Sequence, residues 1–290
     1  MISSFLLKAV SSKPIGLGTF SGFIARGIFF RILKSIDSGL ATRVHEMRTL
    51  SPFSLTPLEV PSHRAFLFDF VPAGVEFQFR IVSFSQNITS VLQRFVLGDG
   101  SPVIEVQGVQ VPVREVSVSS VENSEFNKID ADVSRFVVDF VTPTFFRNTQ
   151  KGPSLLSLFL PRRFRKPVKP VYRYVIVPDP YLFFRGLARL YRQLCNPNFR
   201  YRSYCEWLLE GGVALETYYG LRVLKVREND VRWSRGFVGR AVFAIPRDLY
   251  DSRMAKLSHR LLEFAKFSNV GGNRTAGFGV INYHVFPIQG

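Results

Sequence analysis

The sequence is poor in the residues that build disulfide frameworks and metal sites. Its 290 residues include only two cysteines, Cys195 and Cys205, and four histidines. Two cysteines cannot form a disulfide framework, and the histidines lie far apart in sequence, so we expect no metal and no other cofactor. Because low cysteine content suits a reducing compartment, we expect a cytoplasmic protein.

A long uninterrupted apolar run is also missing. The most apolar stretch, residues 1–30, is broken by Lys8, Lys13, Pro14 and Arg26. A membrane-spanning helix needs about 20 consecutive apolar residues, and the stretch does not follow the order of a signal peptide. We therefore interpret it as a strand followed by a helix, and we expect no membrane partner.

Acidic residues are scarce relative to basic ones. The chain has 38 Lys+Arg against 22 Asp+Glu, which gives a net charge of +16 and a pI near 10.2. A charge this large destabilises a compact protein by self-repulsion unless an anionic partner offsets it. Nucleic acid is the first candidate partner, and an anionic membrane is the second.

Apolar periodicity predicts the order β-α-β-β-α-β in the first half of the chain. The predicted elements are a strand at Ile2–Val10, a helix at Phe20–Ile36, strands at Phe53–Leu58, Ala65–Val71 and Glu76–Phe84, a helix at Gln86–Val96, and a strand pair over Ile104–Val118. This order is typical of the ferredoxin-like fold.

The second half, beginning near Asp132, repeats the same order. Strands are predicted over 134–143, 221–226, 236–245 and 277–286, and helices over 180–195 and 249–267. An insertion rich in proline, arginine and lysine, Thr142–Pro180, separates its first strand from its first helix. The sequence thus predicts an α+β protein of two tandem ferredoxin-like (RRM-like, βαββαβ) domains, residues 1–125 and 126–290. RNA-recognition modules of this topology stack bases on the free face of the sheet.

A glycine-rich segment, Asn269–Val280, precedes the last strand. Closely spaced glycines let a backbone approach a phosphate and direct N–H groups at it, and an arginine at the tip would add a charge-assisted contact. The alternative is an ordinary glycine-rich turn. The candidate RNA-binding residues here are Gly271, Asn273, Arg274, Gly277, Phe278 and Gly279.

Three segments together resemble one family. Gly271, followed after five residues by Gly277–Gly279, is similar to the C-terminal glycine-rich signature of the repeat-associated mysterious proteins (RAMPs) of CRISPR systems, and most of all to their pre-crRNA processing endoribonuclease. Asn269 stands where the family has a further glycine, but asparagine tolerates left-handed backbone. Arg235–Gly239 resembles the strand pair before the family's last helix. Val141–Phe145 resembles the point where its second domain emits a β-hairpin, so the resemblance implies a basic hairpin insertion there.

The resemblance implies an endoribonuclease that binds a CRISPR repeat RNA in precursor crRNA and cuts it without a metal. Attack by a 2′-hydroxyl would leave a 2′,3′-cyclic phosphate and a 5′-hydroxyl. Leu40–Glu46 is similar to the family segment that carries its catalytic histidine, which makes His45 the acid/base candidate; histidine titrates near neutrality. The alternative for His45 is a surface residue beside Glu46.

Two departures from the family affect the partners of His45. Phe30 stands where many members have a tyrosine, and Ser51 stands where many have a lysine. Cations must then come from elsewhere, since arginine can stabilise an oxyanion but hardly acts as a base. The candidate catalytic cations are Arg26, Arg48 and Arg235. We interpret the remaining histidines, including His259 on a solvated helix face, as non-catalytic.

The densest charge cluster of the chain lies in the insertion. Arg162, Arg163, Arg165 and Lys166 are candidate RNA contacts, and prolines around them favour an extended segment. The alternative is a solvated loop. If about six phosphates are neutralised in total, the logarithm of affinity should fall with the logarithm of salt concentration with a slope near about −4.

Two other functions remain open. A non-catalytic RNA-binding RAMP subunit of a CRISPR effector complex would explain Phe30 and Ser51. A basic structural protein bound to a ribosome or a membrane would explain the charge but not the Gly277–Gly279 signature. The sequence leaves a homodimer and association with an effector complex open.

Overall fold

The computed structural model describes residues 1–47, 50–60, 65–66, 70–98, 100–150, 171–229 and 231–287. No helix within these ranges is long and apolar enough to cross a membrane.

The first half is built around strand β1 (Ile2–Val10). It pairs antiparallel with β7 (Glu76–Ser83) on one side and with β9 (Val109–Val121) on the other. Helices α1 (Ser21–Ile36) and α3 (Gln86–Leu97) cover one face of this sheet and bury its apolar side chains. The remaining elements are β2 (Ile15–Gly16), α2 (Ser38–Glu46), β3 (Phe53–Leu55), β4 (Glu59–Val60), β5 (Ala65–Phe66), β6 (Phe70–Val71) and β8 (Val103–Val106).

The second half repeats this topology. Strand β10 (Val133–Thr144) lies between β14 (Trp233–Ala244) and β15 (Ile281–Pro287), antiparallel to both, and β13 (Ala214–Arg227) lies beyond β14. The helices of this half are α4 (Pro180–Leu194), α5 (Tyr201–Leu209) and α6 (Ser252–Ser268). The predicted α+β fold with two ferredoxin-like halves is therefore confirmed. Strand β9 ends at Val121 and β10 begins at Val133; the division at residues 125 and 126 stays a prediction.

The insertion in the second half begins with a two-stranded ladder. Strand β11 (Phe146–Gln150) pairs antiparallel with β12 (Val171–Val175), with Phe146 opposite Val175. The basic segment that contains Arg162, Arg163, Arg165 and Lys166 lies outside the described residues.

Two helices were not predicted from sequence. Asp37 ends α1 and also begins α2, because its side chain accepts a hydrogen bond from the backbone N–H of Leu40 at 2.8 Å. His45 was predicted to lie in a segment just beyond the first helix. The structure places it in the last turn of a second helix, α2. Helix α5 was missed because it has only nine residues, too few for a clear apolar period.

Helix α6 belongs to the second half but packs on the first. Ile2 of β1 and Val82 of β7 are buried in the hydrophobic core of the second half, which we call the second core. Phe84 packs against Phe264 of α6 with ring centroids 5.7 Å apart. Part of the free face of the first sheet is therefore covered by protein rather than open to RNA.

Candidate active site and nucleic-acid interface

His45 lies on the exposed side of α2. Leu40, Ala41 and Val44 form the buried side of this short helix, which leaves the imidazole toward solvent. One side of the ring is not free, because Phe30 of α1 meets it edge to face with centroids 5.3 Å apart. The structure thus offers an accessible imidazole whose ring is held by an aromatic neighbour.

Arg26 lies one helical turn before Phe30, on the same side of α1. Its guanidinium is half-buried and lies 5.2 Å from the centroid of the Phe23 ring. Burial lowers the pKa of Arg26, and the nearby carboxylate of Glu228 opposes that effect. Since arginine stays protonated at neutral pH even so, Arg26 is a fixed cation about 6 Å along the helix from the level of Phe30.

Arg235 is exposed on β14, opposite Lys225 of β13. The end of this strand pair reaches the start of α1, where the hydroxyl of Thr19 donates a hydrogen bond to the carbonyl of Arg227 at 2.7 Å. The ammonium of Lys225 lies 4.4 Å from the ring centroid of Trp233. The structure therefore brings the basic end of β13 and β14 to the helix that carries Arg26. Arg48 lies outside the described residues.

The glycine-rich segment has its predicted left-handed backbone, with φ values of +71° at Gly271, +73° at Gly277 and +70° at Gly279. The need for glycine comes from contacts inside the protein. A β-carbon at Gly277 would lie 2.8 Å from the ring of Pro57, and one at Gly279 would overlap the carbonyl oxygen of Val270. At these two buried positions glycine makes room for the protein's own backbone and for a proline, and the phosphate contact of their backbone stays a prediction. Gly271 and Asn273 are half-exposed.

Phe278 is fully buried, so it has no free face for a base. It meets the rings of Phe20, Phe23 and Phe145 edge to face at centroid distances of 5.3, 5.8 and 5.8 Å. Its predicted RNA-binding role is wrong in this structure, because the ring joins the glycine-rich segment to the first turn of α1 and to the end of β10.

Arg274 does not stand at an exposed loop tip. Its side chain is buried, and its two terminal nitrogens donate hydrogen bonds of 2.9 Å each, one to the carbonyl of Ser268 and one to the carbonyl of Ser51. Burial, with a smaller contribution from the charge of Arg189, lowers the pKa of Arg274 to about 10. The predicted phosphate contact is corrected: Arg274 ties the end of α6 to the segment that follows α2.

Other polar side chains close the same junction. Arg80 donates to the carbonyl of Lys266 at 2.7 Å, and Ser54 donates to the carbonyl of Phe267. The side-chain amide of Asn269 donates to the carbonyl of Leu55 at 2.7 Å. Because the last carbonyls of a helix lack partners within it, these donors both cap α6 and hold the two halves together. Sequence reasoning missed this junction, since its partners lie about two hundred residues apart.

His259 is not on a solvated helix face, contrary to the sequence prediction. The side chain is half-buried beside Tyr283, and its Nδ1 atom is buried with no hydrogen-bond partner among the described residues. Burial lowers the pKa of His259, and the charge of Lys266 lowers it further. The carboxylate of Glu263 and a hydrogen bond with the backbone of Ala131 act in the opposite direction. His63 lies outside the described residues, and within the described ranges no three His, Cys, Asp or Glu side chains are grouped as metal ligands would be.

Two ferredoxin-like halves joined through a glycine-rich turn, with an exposed histidine held by an aromatic ring, define a protein of the RAMP class. The family model of the CRISPR-associated endoribonuclease Cas6 matches residues 138–281. The chain belongs to the Cas6 family of CRISPR-associated endoribonucleases. No curated protein sequence matches it significantly.

Solved Cas6 structures share the fold over nearly the whole chain. A Cas6 product complex has a TM-score of 0.72 at 20% identity and covers 98% of this chain and 100% of its own. Thermus thermophilus Cas6 has a TM-score of 0.66 at 20% identity, with 98% of both chains covered. A Cas6-related protein from Pyrococcus furiosus has a TM-score of 0.52 at 10% identity, covering 100% of this chain and 99% of its own.

Proposed function

We propose that this chain cleaves precursor crRNA at one phosphodiester in each CRISPR repeat, without a metal ion. The 2′-oxygen of the nucleotide before the cut forms a bond to phosphorus, and the bond from phosphorus to the 5′-oxygen breaks. The products are a 2′,3′-cyclic phosphate and a 5′-hydroxyl. The observation that carries this proposal is the accessible imidazole of His45, held by Phe30 on the helix that also carries Arg26.

Two protons must move in this reaction. The 2′-hydroxyl loses one as it attacks, and the leaving 5′-oxygen gains one. A histidine can serve at either atom because both of its forms are populated near neutral pH. We assign His45 to one of these transfers. The negative charge that builds on the phosphate oxygens is stabilised by arginine N–H groups of Arg26 and Arg235, and by Arg48, for which the proposal rests on sequence alone.

Binding of the repeat rests on basic and half-exposed groups around the same junction. Arg147 is exposed and donates to the side-chain oxygen of Asn273 at 3.4 Å, which places a cation beside the half-exposed Gly271 and Asn273. The insertion residues Arg162, Arg163, Arg165 and Lys166 are proposed to extend this contact. A net charge of +16 supports a polyanionic partner.

Structures of similar fold add support. They include Cas6 in a product complex, Cas6 in a substrate-mimic complex and a histidine-to-alanine mutant of Cas6. These complexes and this mutant were made with the related proteins. For this chain they make a repeat RNA the first substrate to test.

The experiment is a cleavage assay on the repeat RNA of the host's own array, in EDTA. We expect one cut and a 2′,3′-cyclic phosphate on the upstream product, identified by mass spectrometry. A matched RNA with one deoxyribose just 5′ of the cut should bind with the same affinity and remain intact, because it lacks the nucleophile. Cleavage of the deoxy-substituted RNA at the same bond would contradict the proposed chemistry.

A second function is favoured by two residues. Phe30 and Ser51 occupy the positions where many family members have a tyrosine and a lysine, and the carbonyl of Ser51 is bound by Arg274. A non-catalytic RNA-binding subunit of a CRISPR effector complex would tolerate both. Tight binding of several authentic repeats without cleavage would decide for it.

A further inference from the structure

Three arginines follow one side of α4, and none of them is assigned to catalysis above. Arg185, Arg189 and Arg192 have the spacing i, i+4 and i+7, which places them on one side of a helix. The opposite side is apolar and buried in the second core, with Phe183 and Leu187 among its residues. We call the three arginines the α4 basic stripe. The packing of α4 on the core does not require these charges, since Arg189 and Arg192 are exposed.

Aromatic rings hold the stripe in place. The guanidinium of Arg185 lies 5.5 Å from the ring centroid of Tyr181. The guanidinium of Arg192 lies 6.0 Å from the ring centroid of Tyr201, at the start of α5. Arginines stacked on rings lose less side-chain freedom when they bind a ligand, so Arg185 and Arg192 are preorganised.

The charge of the stripe is not compensated. Within the described ranges, no carboxylate forms an ion pair with any of its three arginines. The acid of the neighbouring helix, Glu206, is already paired with Arg202 at 3.0 Å. An uncompensated row of arginines whose β-carbons lie about 5–6 Å apart along a helix can reach successive phosphates of a nucleic-acid strand.

The free face of the second sheet gives the contrasting case. Arg240 forms two hydrogen bonds to the carboxylate of Asp139 on the adjacent strand, and Arg135 is paired with Glu216. These ion pairs neutralise Arg240 and Arg135 on the face where RNA-recognition modules of this topology bind. Of these two surfaces of the second half, the helical one is therefore better suited to a polyanion.

The stripe also lies close to the segment that leads away from the candidate catalytic histidine. Tyr191 of α4 packs against Phe264 of α6 with ring centroids 5.3 Å apart, and Arg274 donates a hydrogen bond to the carbonyl of Ser268 at the end of α6. Arg274 also donates to the carbonyl of Ser51, six residues after His45. An RNA strand at His45 can therefore continue onto α4 by crossing this short segment.

We propose that Arg185, Arg189 and Arg192 bind the phosphate backbone of the RNA where it continues from the catalytic site along α4. This inference rests on the proposed function, because it takes the repeat RNA as the ligand. The contact is sequence-independent and sets affinity and register rather than the rate of bond cleavage.

The test is a triple variant, Arg185→Ala, Arg189→Ala and Arg192→Ala, in the full chain. We expect its dissociation constant for the full repeat RNA to rise roughly tenfold to fiftyfold at physiological salt. The log–log salt slope should become shallower by about 2, since each neutralised phosphate of a single strand contributes about 0.7 to that slope. The single-turnover cleavage rate at saturating enzyme should stay within about twofold of wild type, because the stripe does not touch the reacting atoms.

A control variant removes the same charge elsewhere. Arg114, Lys128 and Arg253 are exposed, and their replacement by alanine should leave both the dissociation constant and the slope near wild type. Lysine at all three stripe positions should restore most of the salt slope, which separates removal of charge from damage to the fold. If wild type cleaves the repeat but the alanine stripe variant binds like the control, the stripe inference fails alone. If wild type binds the repeat without cutting it, the proposed catalysis fails. The dissociation constants of the stripe variant and the control variant then still show whether the stripe binds RNA.

Discussion

The rings of Phe30 and His45 meet edge to face, with their centroids 5.3 Å apart. Phe30 is itself fixed by Phe29 and Phe53, at centroid distances of 5.2 and 5.9 Å. The imidazole is thus connected through one aromatic ring to the core of the first half. Phe30 cannot exchange a proton, but its ring can still position the imidazole of His45.

Replacement of Phe30 by alanine should therefore slow cleavage without weakening RNA binding. We expect single-turnover cleavage to fall about tenfold to a hundredfold, because a small displacement of a catalytic group is costly. Phe30→Tyr keeps the ring contact and should retain at least the wild-type rate. An alanine variant that cuts as fast as wild type would show that His45 needs no such neighbour.

Two glycines of α1 should respond to alanine in opposite ways. A β-carbon at Gly22 would overlap the carbonyl oxygen of Ala276 in the glycine-rich segment, whereas one at Gly27 would meet no atom within 4 Å. Gly27→Ala should stabilise the protein by about 1 kcal/mol through helix propensity, and Gly22→Ala should destabilise it. Urea unfolding of both variants measures the difference. Equal effects would mean that α1 does not pack on the segment as described.

Arg274→Met should cost stability. The substitution leaves the carbonyls of Ser268 and Ser51 without their donor, at a cost of about 1–3 kcal/mol for a buried group. Arg253→Met, at an exposed arginine near the start of the same α6 helix, is the control and should change the free energy of unfolding little. If Arg274→Met instead kept its stability and bound RNA more weakly, the phosphate contact predicted from sequence would be right and the structural role wrong.

His259 should make stability depend on pH. Burial lowers its pKa in the folded protein below the ordinary value of 6.5, so near that pH the unfolded chain binds a proton that the folded chain does not. The stabilisation that His259 provides is therefore complete above the pKa of the unfolded chain, and it is lost as the pH falls from that value through the lower pKa of the folded protein. We expect the unfolding free energy of His259→Gln to fall less than that of wild type from about pH 7.5 to about pH 5. Parallel curves for the two proteins would contradict this.

Local patterns predicted the architecture well. Alternation marked β7, and the helical spacing of phenylalanines and leucines marked α1 and α4, because each buries one regular face against a sheet. Helix α2 could not be separated from α1, since the single residue Asp37 caps the end of one and the start of the next.

The roles of single residues in the glycine-rich segment were much harder to predict. Glycine spacing revealed left-handed backbone but not what approaches it, and Pro57 lies in the other half of the chain. Arg274 was expected to face a phosphate because it was placed at the tip of the loop, where it could add a charge-assisted contact. Its partner Ser51 is 223 positions away, so only the folded chain reveals the pair.

The central claim, that His45 moves a proton in the cleavage step, is tested most directly by His45→Ala under single-turnover conditions in EDTA. We predict a cleavage rate about 10²- to 10⁴-fold below wild type, with an unchanged dissociation constant for the repeat RNA. His284→Ala, at another exposed histidine, should cut at the wild-type rate. A His45→Ala variant that cleaves as fast as wild type would contradict the claim.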